Sequence, residues 1–439
     1  IVGGNLDLSK LKEIHEGFSP TVNGDLNLSG LKNIPDNFNP KVKGRLNLSG
    51  LEYIPHSFNP KVGGLNLSSI KFLPQNFSPK VEFLNLSSLE SIPKGFNPEV
   101  SKQLILSSIN SIPTEFNPIV KNLDLSGLEE IPKFFPNVFN GSLNLSGVKH
   151  LPDNFDFVIS GDLILNGLES IKNNFSPTVG GSLKLNKLKN VSGDFSPVVK
   201  RNLDINLLDS IPEKFKPIVG RFLRFRSLKK IPESFNPIVR GGIGFKSVNS
   251  IPKSFPFERF GGLSFSSVET IGENFSYKIN GDLILNGLTK IPDNFSPNID
   301  GELSLYNVLE LGEGFRPVVN GDLNLGKLKN IPKGFNPRVS GDLILESVLT
   351  VGNGVKPKVK GKLILNEAIK ICRKCEEWHS LEGDNCPSCK TPPPKKITRQ
   401  RTNYSAQRNL KTCPSCGEWH NANYNRCAVC NDFDASNDY

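Results

Sequence analysis

Residues Gly24 to Lys43 read G-D-L-N-L-S-G-L-K-N-I-P-D-N-F-N-P-K-V-K, and this unit of about twenty residues recurs along most of the chain. The first leucine of the unit occurs in nineteen copies, from Leu6 through Leu26 to Leu363, with isoleucine in one of them. A unit this short cannot close a hydrophobic core alone and buries its apolar side only by stacking on its neighbours. The repeat therefore predicts a solenoid over residues 1–371.

Each unit predicts one short strand followed by an irregular return. In the third copy, Leu46 and Leu48 flank polar Asn47, the alternation of a strand with one buried face. Pro55 and Pro60 follow, and they leave no room for a regular helix. We expect an all-β protein, a parallel β-solenoid of nineteen coils whose convex side is irregular.

Two further repeat positions carry structural expectations. Glycine stands two residues before the first leucine in fourteen of the nineteen copies, as at Gly44, which fits a backbone conformation that is costly for other residues. Seventeen of the 29 phenylalanines share one position between Phe18 and Phe335. We expect them to form a stacked internal spine rather than an exposed stripe.

The repeat resembles the leucine-rich repeat family, in particular its short bacterial and phage variants of the form G-x-L-x-L-x-G-x-x-x-I/L-P. The familiar asparagine of that family is replaced here by an aliphatic residue, as at Leu31 and Leu51, so its buried asparagine ladder is absent. A Ser/Asn row, from Ser9 to Asn186, is expected to satisfy turn backbone groups instead. The resemblance implies a recognition scaffold and no catalytic residue.

All eight cysteines lie after residue 371 and form Cys-x2-Cys pairs. This spacing is typical of a metal site in a reducing compartment rather than of a disulfide-stapled secreted domain. Four thiolates are the ligands of a tetrahedral structural zinc, and each module therefore predicts one zinc ion. The proposed ligands are Cys372, Cys375, Cys386 and Cys389 in the first module and Cys413, Cys416, Cys427 and Cys430 in the second.

The two modules resemble tandem zinc ribbons, and both carry Glu-Trp-His after the second cysteine. A rival hypothesis lets His379 or His420 displace a cysteine ligand. Trp378 and Trp419 are predicted either to pack as the small hydrophobic core of each module or to form a surface that contacts a partner. Because Ile371 runs directly into Cys372, we expect the first ribbon to cover the C-terminal end of the solenoid.

The expected boundaries are a solenoid over 1–371, zinc ribbons over 372–389 and 413–431, a linker over 390–412 and a tail over 432–439. The linker has seven basic side chains, three prolines and no acidic residue. It is read as a solvated spacer, with a nonspecific phosphate clamp as the alternative. The net charge of the whole chain is +10, which permits an anionic partner without requiring one.

One stretch of the repeats changes character on the outward strand positions, where basic and aromatic side chains replace Asn, Asp, Ser and Ile. Such a patch could bind an acidic protein loop or a nucleic-acid strand. The alternative is that the residue types of a solvent-exposed face have drifted without a functional role. We expect the arginines of this patch to point to solvent. The predicted partner-binding residues are Lys184, Phe222, Arg224, Arg226 and Lys246.

The sequence carries no nucleotide-binding loop, no Gly-x-Ser-x-Gly and no paired-carboxylate signature, so we expect no enzyme and no small-molecule substrate. No run of 18 apolar residues is present, and we expect no membrane span. The chain begins at Ile1 in mid-repeat and has no methionine, so we expect further residues upstream. The expected location is a reducing cytoplasm or a virion assembled there.

Three hypotheses of function follow. The first is a non-enzymatic protein-binding scaffold, phage- or virus-encoded by the resemblance of its repeats, with the ribbons as cap and second contact site. The second is a structural component of a virion or another large assembly. The third is a nucleic-acid-binding protein that acts through the ribbons and the basic linker, and a steep loss of binding with salt distinguishes it.

Overall fold

The computed structural model describes residues 1–75, 77–152, 156–171, 175–191, 195–212, 214–372, 374–380, 389–390, 410–412 and 419–421. The chain divides into two compact units, Ile1–Asn206 and Leu207–Tyr439. Within each unit, parallel strands repeat at intervals of about twenty residues, and successive coils pair in register. Both units contain the predicted parallel β-solenoid coils.

In the first unit, every coil contributes one strand that holds the first leucine of the repeat, here called the leading strand. Shorter second and third strands lie on the return in some coils. The leading strands are Leu6–Asp7, Leu26–Asn27, Lys41–Asn47, Lys61–Asn66, Lys80–Asn85, Glu99–Ile105, Ile119–Asp124, Ser142–Asn144, Leu163–Ile164, Leu183–Lys184 and Leu203–Ile205. The others are Thr21–Val22, Val138–Phe139, Val158–Ile159, Ser170–Ile171, Thr178–Val179, Asn190–Val191 and Val198–Val199.

The second unit continues the same plan. Its leading strands are Leu223–Phe225, Gly242–Phe245, Gly262–Phe265, Leu283–Ile284, Leu303–Ser304, Leu323–Asn324, Leu343–Leu345 and Leu363–Leu365. The return strands are Ile218–Val219, Ile238–Val239, Lys278–Ile279, Asn298–Ile299, Val318–Val319, Asn330–Ile331, Arg338–Val339, Thr350–Val351 and Lys358–Val359. Two hairpins follow, made by Ile369–Ile371 with Trp378–Ser380 and by Leu410–Thr412 with Trp419–Asn421.

The described residues contain no α-helix; one short 3-10 turn, Phe257–Arg259, is the closest approach to one. The prolines explain why the return stays irregular. The N–H of Phe38 donates to the carbonyl oxygen of Pro35 at 3.0 Å, and the N–H of Phe58 donates to that of Pro55 at 3.1 Å. Each such turn directs a phenylalanine into the core.

The core consists of the apolar positions of the repeat. Leu26, Leu28 and Leu31 are fully buried, and equivalent leucines recur along both units. The phenylalanine spine is confirmed: in the second unit the ring centroids of Phe275 and Phe295 lie 5.1 Å apart, and the next pair is nearly parallel at 5.9 Å. Aromatic rings stacked at this spacing stabilise the coil interface beyond the apolar area they bury.

Glycine before the leading strand is required for a different reason from the one expected. None of these glycines has a positive φ in the described backbone. At Gly281, however, a Cβ would collide with the carbonyl oxygen of Gly261, and at Gly44 it would lie 2.8 Å from the carbonyl oxygen of Gly24. At these two glycines adjacent coils approach too closely for a side chain, so close approach replaces the expected conformational explanation, which is wrong.

Polar side chains form hydrogen-bonded ladders along the stack. The Nδ2 group of Asn47 donates to Oδ1 of Asn27 at 3.1 Å, and that of Asn66 donates to Oδ1 of Asn47 at 3.0 Å. An asparagine ladder thus exists, but on the outward strand position instead of the buried one. The predicted Ser/Asn row does bond turn backbone, since Ser107 Oγ donates to the carbonyl oxygen of Ser87 at 3.3 Å.

Candidate functional site

A hairpin turn positions the first cysteine pair. Ile369–Ile371 pairs antiparallel with Trp378–Ser380, and Cys372 and Cys375 lie in the connection. The N–H of Cys372 donates to the carbonyl oxygen of Glu377 at 2.9 Å, and the N–H of Glu376 donates to that of Cys372 at 2.8 Å. Glu376 adopts a positive φ of 59°, which completes the tight turn.

Three thiols converge beneath this turn. The Sγ atoms of Cys372, Cys375 and Cys389 lie within 4.8 Å of one another, and those of Cys372 and Cys389 are 3.4 Å apart. Backbone N–H groups of Cys375 and Lys374 point at the Cys372 sulfur and lower the pKa of its thiol. Because the thiolate is the form that binds metal, this arrangement can hold a metal ion.

The remaining predicted ligands lie outside the described residues. They are Cys386 in the first module and Cys413, Cys416, Cys427 and Cys430 in the second. The described backbone of the second module nevertheless repeats the first: Thr412 pairs with Trp419 as Ile371 pairs with Trp378. The linker prediction for 390–412 and the tail 432–439 are likewise almost entirely outside the described part of the chain.

The first hairpin packs against the return of a preceding coil. The N–H of Trp378 donates to the carbonyl oxygen of Val355 at 3.1 Å, and Ser380 Oγ accepts from the N–H of Val351 at 3.3 Å. The carboxylate of Glu377 accepts from the N–H of Gly354. Glu377 and Trp378 are both buried. The hairpin therefore contacts the return at residues 351–355, while Leu363 and Leu365 of the last leading strand are only half-buried. Trp378 is packed rather than exposed to solvent.

The predicted partner-binding residues do not form one uniform exposed patch. Lys184 is half-buried and belongs to the first unit, whereas the other four belong to the second. Arg226 and Lys246 are exposed, and Phe222 is half-buried. Arg224, expected to point to solvent, is only 7 % exposed, so that expectation is wrong.

Arg224 is buried because it packs against the neighbouring Phe222 side chain on the same sheet face. Phe222 directly precedes the strand Leu223–Phe225, which holds Arg224, and residues two apart along an extended backbone lie on the same face. The Arg224 guanidinium carbon lies 5.6 Å from the centroid of the Phe222 ring, within the range of a cation–π contact. Arg224 therefore belongs to a packed surface layer.

A groove opens beside Phe222 on the same face. It has a volume of about 470 Å³ and spans the coils from Phe222 to Asp282, with Gly242, Gly262 and Ser264 along its floor. The Phe222 ring lies over Gly242, where a Cβ would meet its Cε1 atom at 3.1 Å. The volume falls in the range of about 300–1,000 Å³ that is typical of ligand clefts.

Asp282 stands at the far side of this groove, at the residue just before the first leucine, here called the ladder position. At this position a side-chain oxygen accepts the backbone N–H of the next coil: Asp282 Oδ1 accepts from Glu302 at 2.8 Å, and Asp322 Oδ1 accepts from Asp342 at 2.7 Å. Four half-buried carboxylates follow one another here. Burial and then the charges of Asp282 and Asp322 raise the pKa of Glu302 to about 7.

Sequence reasoning missed the ladder position, the groove and one further feature. In the first unit, β-branched side chains at one repeat position stand outward from successive strands, from 73 % exposed at Ile119 to 37 % at Val198. A pocket of about 400 Å³ lies next to Ile119 and Val138. Aligning the repeats column by column would have revealed all three features, because each is a change of residue type within one column.

No protein-family model, curated protein or solved structure matches this chain. The described residues contain no apolar helix of the length that a bilayer crossing requires. Within the described part of the chain, the sulfur cluster and the sheet-face groove both have a geometry suited to binding.

Proposed function

We propose that this chain is a non-enzymatic scaffold that binds another protein through the outward sheet face of its second unit. The observation that carries the proposal is the change in that face between Phe222 and Asp282. At Asn27, Asn47 and Asn66 this face is a ladder of hydrogen-bonded asparagines, whereas here an aromatic ring, exposed cations and a groove occur together. Aromatic and arginine side chains dominate the binding energy of many protein interfaces.

The finer identities of the fold and its metal belong to the same proposal. The register of about twenty residues and the strand-plus-return coil support a short leucine-rich repeat of the bacterial and phage type. The convergent thiols support two zinc ribbons with one structural zinc each, because zinc is the usual partner of four thiolates. A phage or viral origin rests on the resemblance, and a reducing cytoplasm rests on the Cys-x2-Cys spacing.

A salt-controlled capture experiment tests the proposal. The tagged chain is incubated with nuclease-treated extract of its source cells at about 50 and 200 mM salt, a range over which nucleic-acid binding falls steeply. We expect one protein to be retained at both concentrations. Arg226→Ala with Lys246→Ala should reduce its yield, whereas Lys229→Ala with Lys253→Ala, exposed cations on the return of the same coils, should not.

Three outcomes would overturn the proposal. If extract left untreated with nuclease yields only nucleic acid, and this nucleic acid is lost at the higher salt, the ribbons and basic linker are favoured as the functional part. Recovery of the chain only within large particles would favour a structural component of an assembly. Equal protein capture by both double variants would move the contact surface away from this face.

A further inference from the structure

Two adjacent coils of the first unit fail to pair just before their first leucines. The strand Ile119–Asp124 pairs over Ile119 and Val120 with the preceding strand Glu99–Ile105, and Val138–Phe139 pairs with the following strand Val158–Ile159. In the described backbone, however, Val138–Phe139 is the last strand of its own sheet and does not pair with Ile119–Asp124. The two strand edges therefore remain unjoined.

The missing pairing leaves particular backbone groups without the hydrogen bonds that other coils make. Between the coils of Val138 and Val158, the two ladder bonds of this region are formed at 2.7 and 3.0 Å. One coil earlier, the first equivalent bond would run from the N–H of Val138 to the carbonyl oxygen of Pro118. The second would run from the N–H of Asn140 to the carbonyl oxygen of Val120. Neither bond is formed among the described residues.

The number of residues before the first leucine explains the gap. Leu123 follows Pro118 by five positions, whereas Leu143 follows Pro136 by seven. Leu123 and Leu143 still pair in register, so the two extra residues are accommodated before them, where the chain bends at Asn140. On the N-terminal side of these leucines the two strands are therefore out of step.

An apolar groove of about 400 Å³ opens at this gap, a volume typical of ligand clefts. Core positions are uncovered there. Val120 and Phe139 are only half-buried, whereas the equivalent residues Val100 and Ile159 are 0 % and 2 % exposed. Ile119, at the mouth of the groove, is largely exposed. A side chain that entered the groove would remove this apolar surface from water.

The backbone groups along the groove distinguish a polypeptide from other apolar ligands. An extended segment presents N–H and carbonyl groups at the spacing of a strand, so it can bond to the groups that the two coils leave without ladder partners. A lipid chain fills the apolar space but satisfies none of these groups. The groove therefore favours a strand over a lipid.

The charge at the groove favours an acidic segment. Lys121 is exposed, is the one charged residue among the described residues that line the groove, and has no ion-pair partner in the described part of the chain. An acidic side chain of a partner would pair with this ammonium group, whereas a basic one would be repelled.

We infer that this groove binds an extended segment of a partner protein, with an aliphatic side chain against Val120 and Phe139 and an acidic side chain at Lys121. The backbone of the segment bonds to the open ladder groups of the two coils. The groove lies wholly within the first unit, so this inference does not depend on the scaffold face proposed for the second unit, and either can fail without the other.

Fluorescence anisotropy with labelled peptides of equal length tests the inference on the full zinc-loaded chain. The parent peptide alternates Ser and Leu and has Glu at both ends. A second peptide has Lys at both ends, and two more carry N-methyl groups on alternate residues, one set for each edge of the strand. We expect the Lys peptide to bind about tenfold more weakly than the parent peptide. At least one N-methyl peptide should also lose about tenfold, because it lacks the backbone donors.

Matched variants of the chain test whether binding occurs in the groove. Ile119→Thr with Val138→Thr removes apolar surface at the groove, keeps both residues β-branched and introduces the residue that stands at Thr178 in the same repeat position. Because both side chains are exposed, the thermal midpoint should stay unchanged, while the parent peptide should bind about tenfold more weakly. Ile218→Thr with Ile238→Thr, the same change at this repeat position in the second unit, should leave binding unchanged.

A second pair of variants tests the charge. Lys121→Gln should abolish the preference for the Glu-ended peptide over the Lys-ended one. Lys200→Gln, which alters an exposed lysine at the same repeat position away from the groove, should retain that preference.

Three results would overturn the inference. The first is no binding of the parent peptide up to about 1 mM. The second is binding that is weakened neither by the N-methyl groups nor by the threonine pair in the groove. The third is a dimer of the chain that the threonine pair in the groove abolishes while no peptide binds, since the groove would then belong to a second copy.

Discussion

Arg224 and Arg226 show how much an offset of two residues matters on a stacked sheet. Arg224 lies within the strand Leu223–Phe225 and is buried beside the Phe222 ring. Arg226 lies just after the strand and is exposed. The same side chain therefore has a packing role at one position and is available for contact at the other.

Single replacements should separate these two roles. Arg224→Ala removes buried aliphatic contacts and a cation–π partner, and we expect it to lower the free energy of unfolding by about 1–3 kcal/mol. Arg226→Ala should change it by less than about 0.5 kcal/mol. Urea unfolding followed by circular dichroism measures both, and equal effects of the two variants would contradict the burial of Arg224.

Glu302 makes stability depend on pH in an unusual direction. Its folded-state pKa of about 7 lies above the ordinary value of 4.5, so the folded chain holds this proton more tightly than the unfolded chain. Stability from this group is full below about pH 4.5 and is lost as the pH rises towards 7. Above that pH the ionised carboxylate persistently destabilises the fold.

Glu302→Gln should remove the loss of folding stability that accompanies the ionisation of Glu302. We expect the variant to be more stable than the original chain at pH 8, by about 1–2 kcal/mol after allowance for partial solvent exposure, and nearly equal to it near pH 4.5. Thermal unfolding midpoints across this range measure the effect. Glu273→Gln, which alters an exposed glutamate on the return, serves as the control, and a parallel gain there would contradict the explanation.

At the scale of the coil, the turn before each leading strand is the most restrictive element. Gly281→Ala would drive a Cβ into the carbonyl oxygen of Gly261, so we expect a loss of about 1–3 kcal/mol, the usual cost of overpacking. Gly244→Ala meets no atom within 4 Å and should be neutral or gain up to about 1 kcal/mol through the unfolded chain. Urea midpoints of the two variants should therefore move apart, and a common shift would refute the close-approach explanation.

The repeat predicted the structure of each coil well because burial alone determines the residue types at its apolar positions. Leu26, Leu28 and the phenylalanine spine occupy the core positions expected of them. The glycine column was found correctly but explained wrongly, since the distance between coils cannot be read from one coil. The ladder position was overlooked because its side-chain bonds join residues twenty positions apart, as between Asp282 and Glu302.

At the scale of the whole molecule, the candidate sites were predictable to very different degrees. Cysteine spacing identified the thiols because metal ligands must come in fixed numbers at short separations, and Cys372, Cys375 and Cys389 do converge. The sheet-face patch was predicted only by composition. Its residues fall in two units, one of them is buried, and the groove beside it is made by glycines that carry no chemical signature.

Metal removal should destabilise the C-terminal end of the solenoid and leave the preceding coils folded. The first hairpin reaches the return of the preceding coil through Trp378 and Val355, and through Ser380 and Val351. If zinc holds the hairpin turn, a chelator should unfold the hairpin and free that return. Hydrogen exchange should then show lost protection over 351–355 and 369–380, while strands such as Leu163–Ile164 keep theirs.

Two cysteine variants separate the effect of losing the metal from any other effect of the chelator. Cys375→Ser should reproduce the loss of protection at 351–355 without chelator and lower the zinc content, measured by atomic emission, from two ions per chain to one. Cys416→Ser should also remove one ion but leave 351–355 protected, because it alters only the second module. If Cys375→Ser bound two ions, or left the return as protected as before, the first module would neither hold zinc through this cysteine nor stabilise the solenoid end.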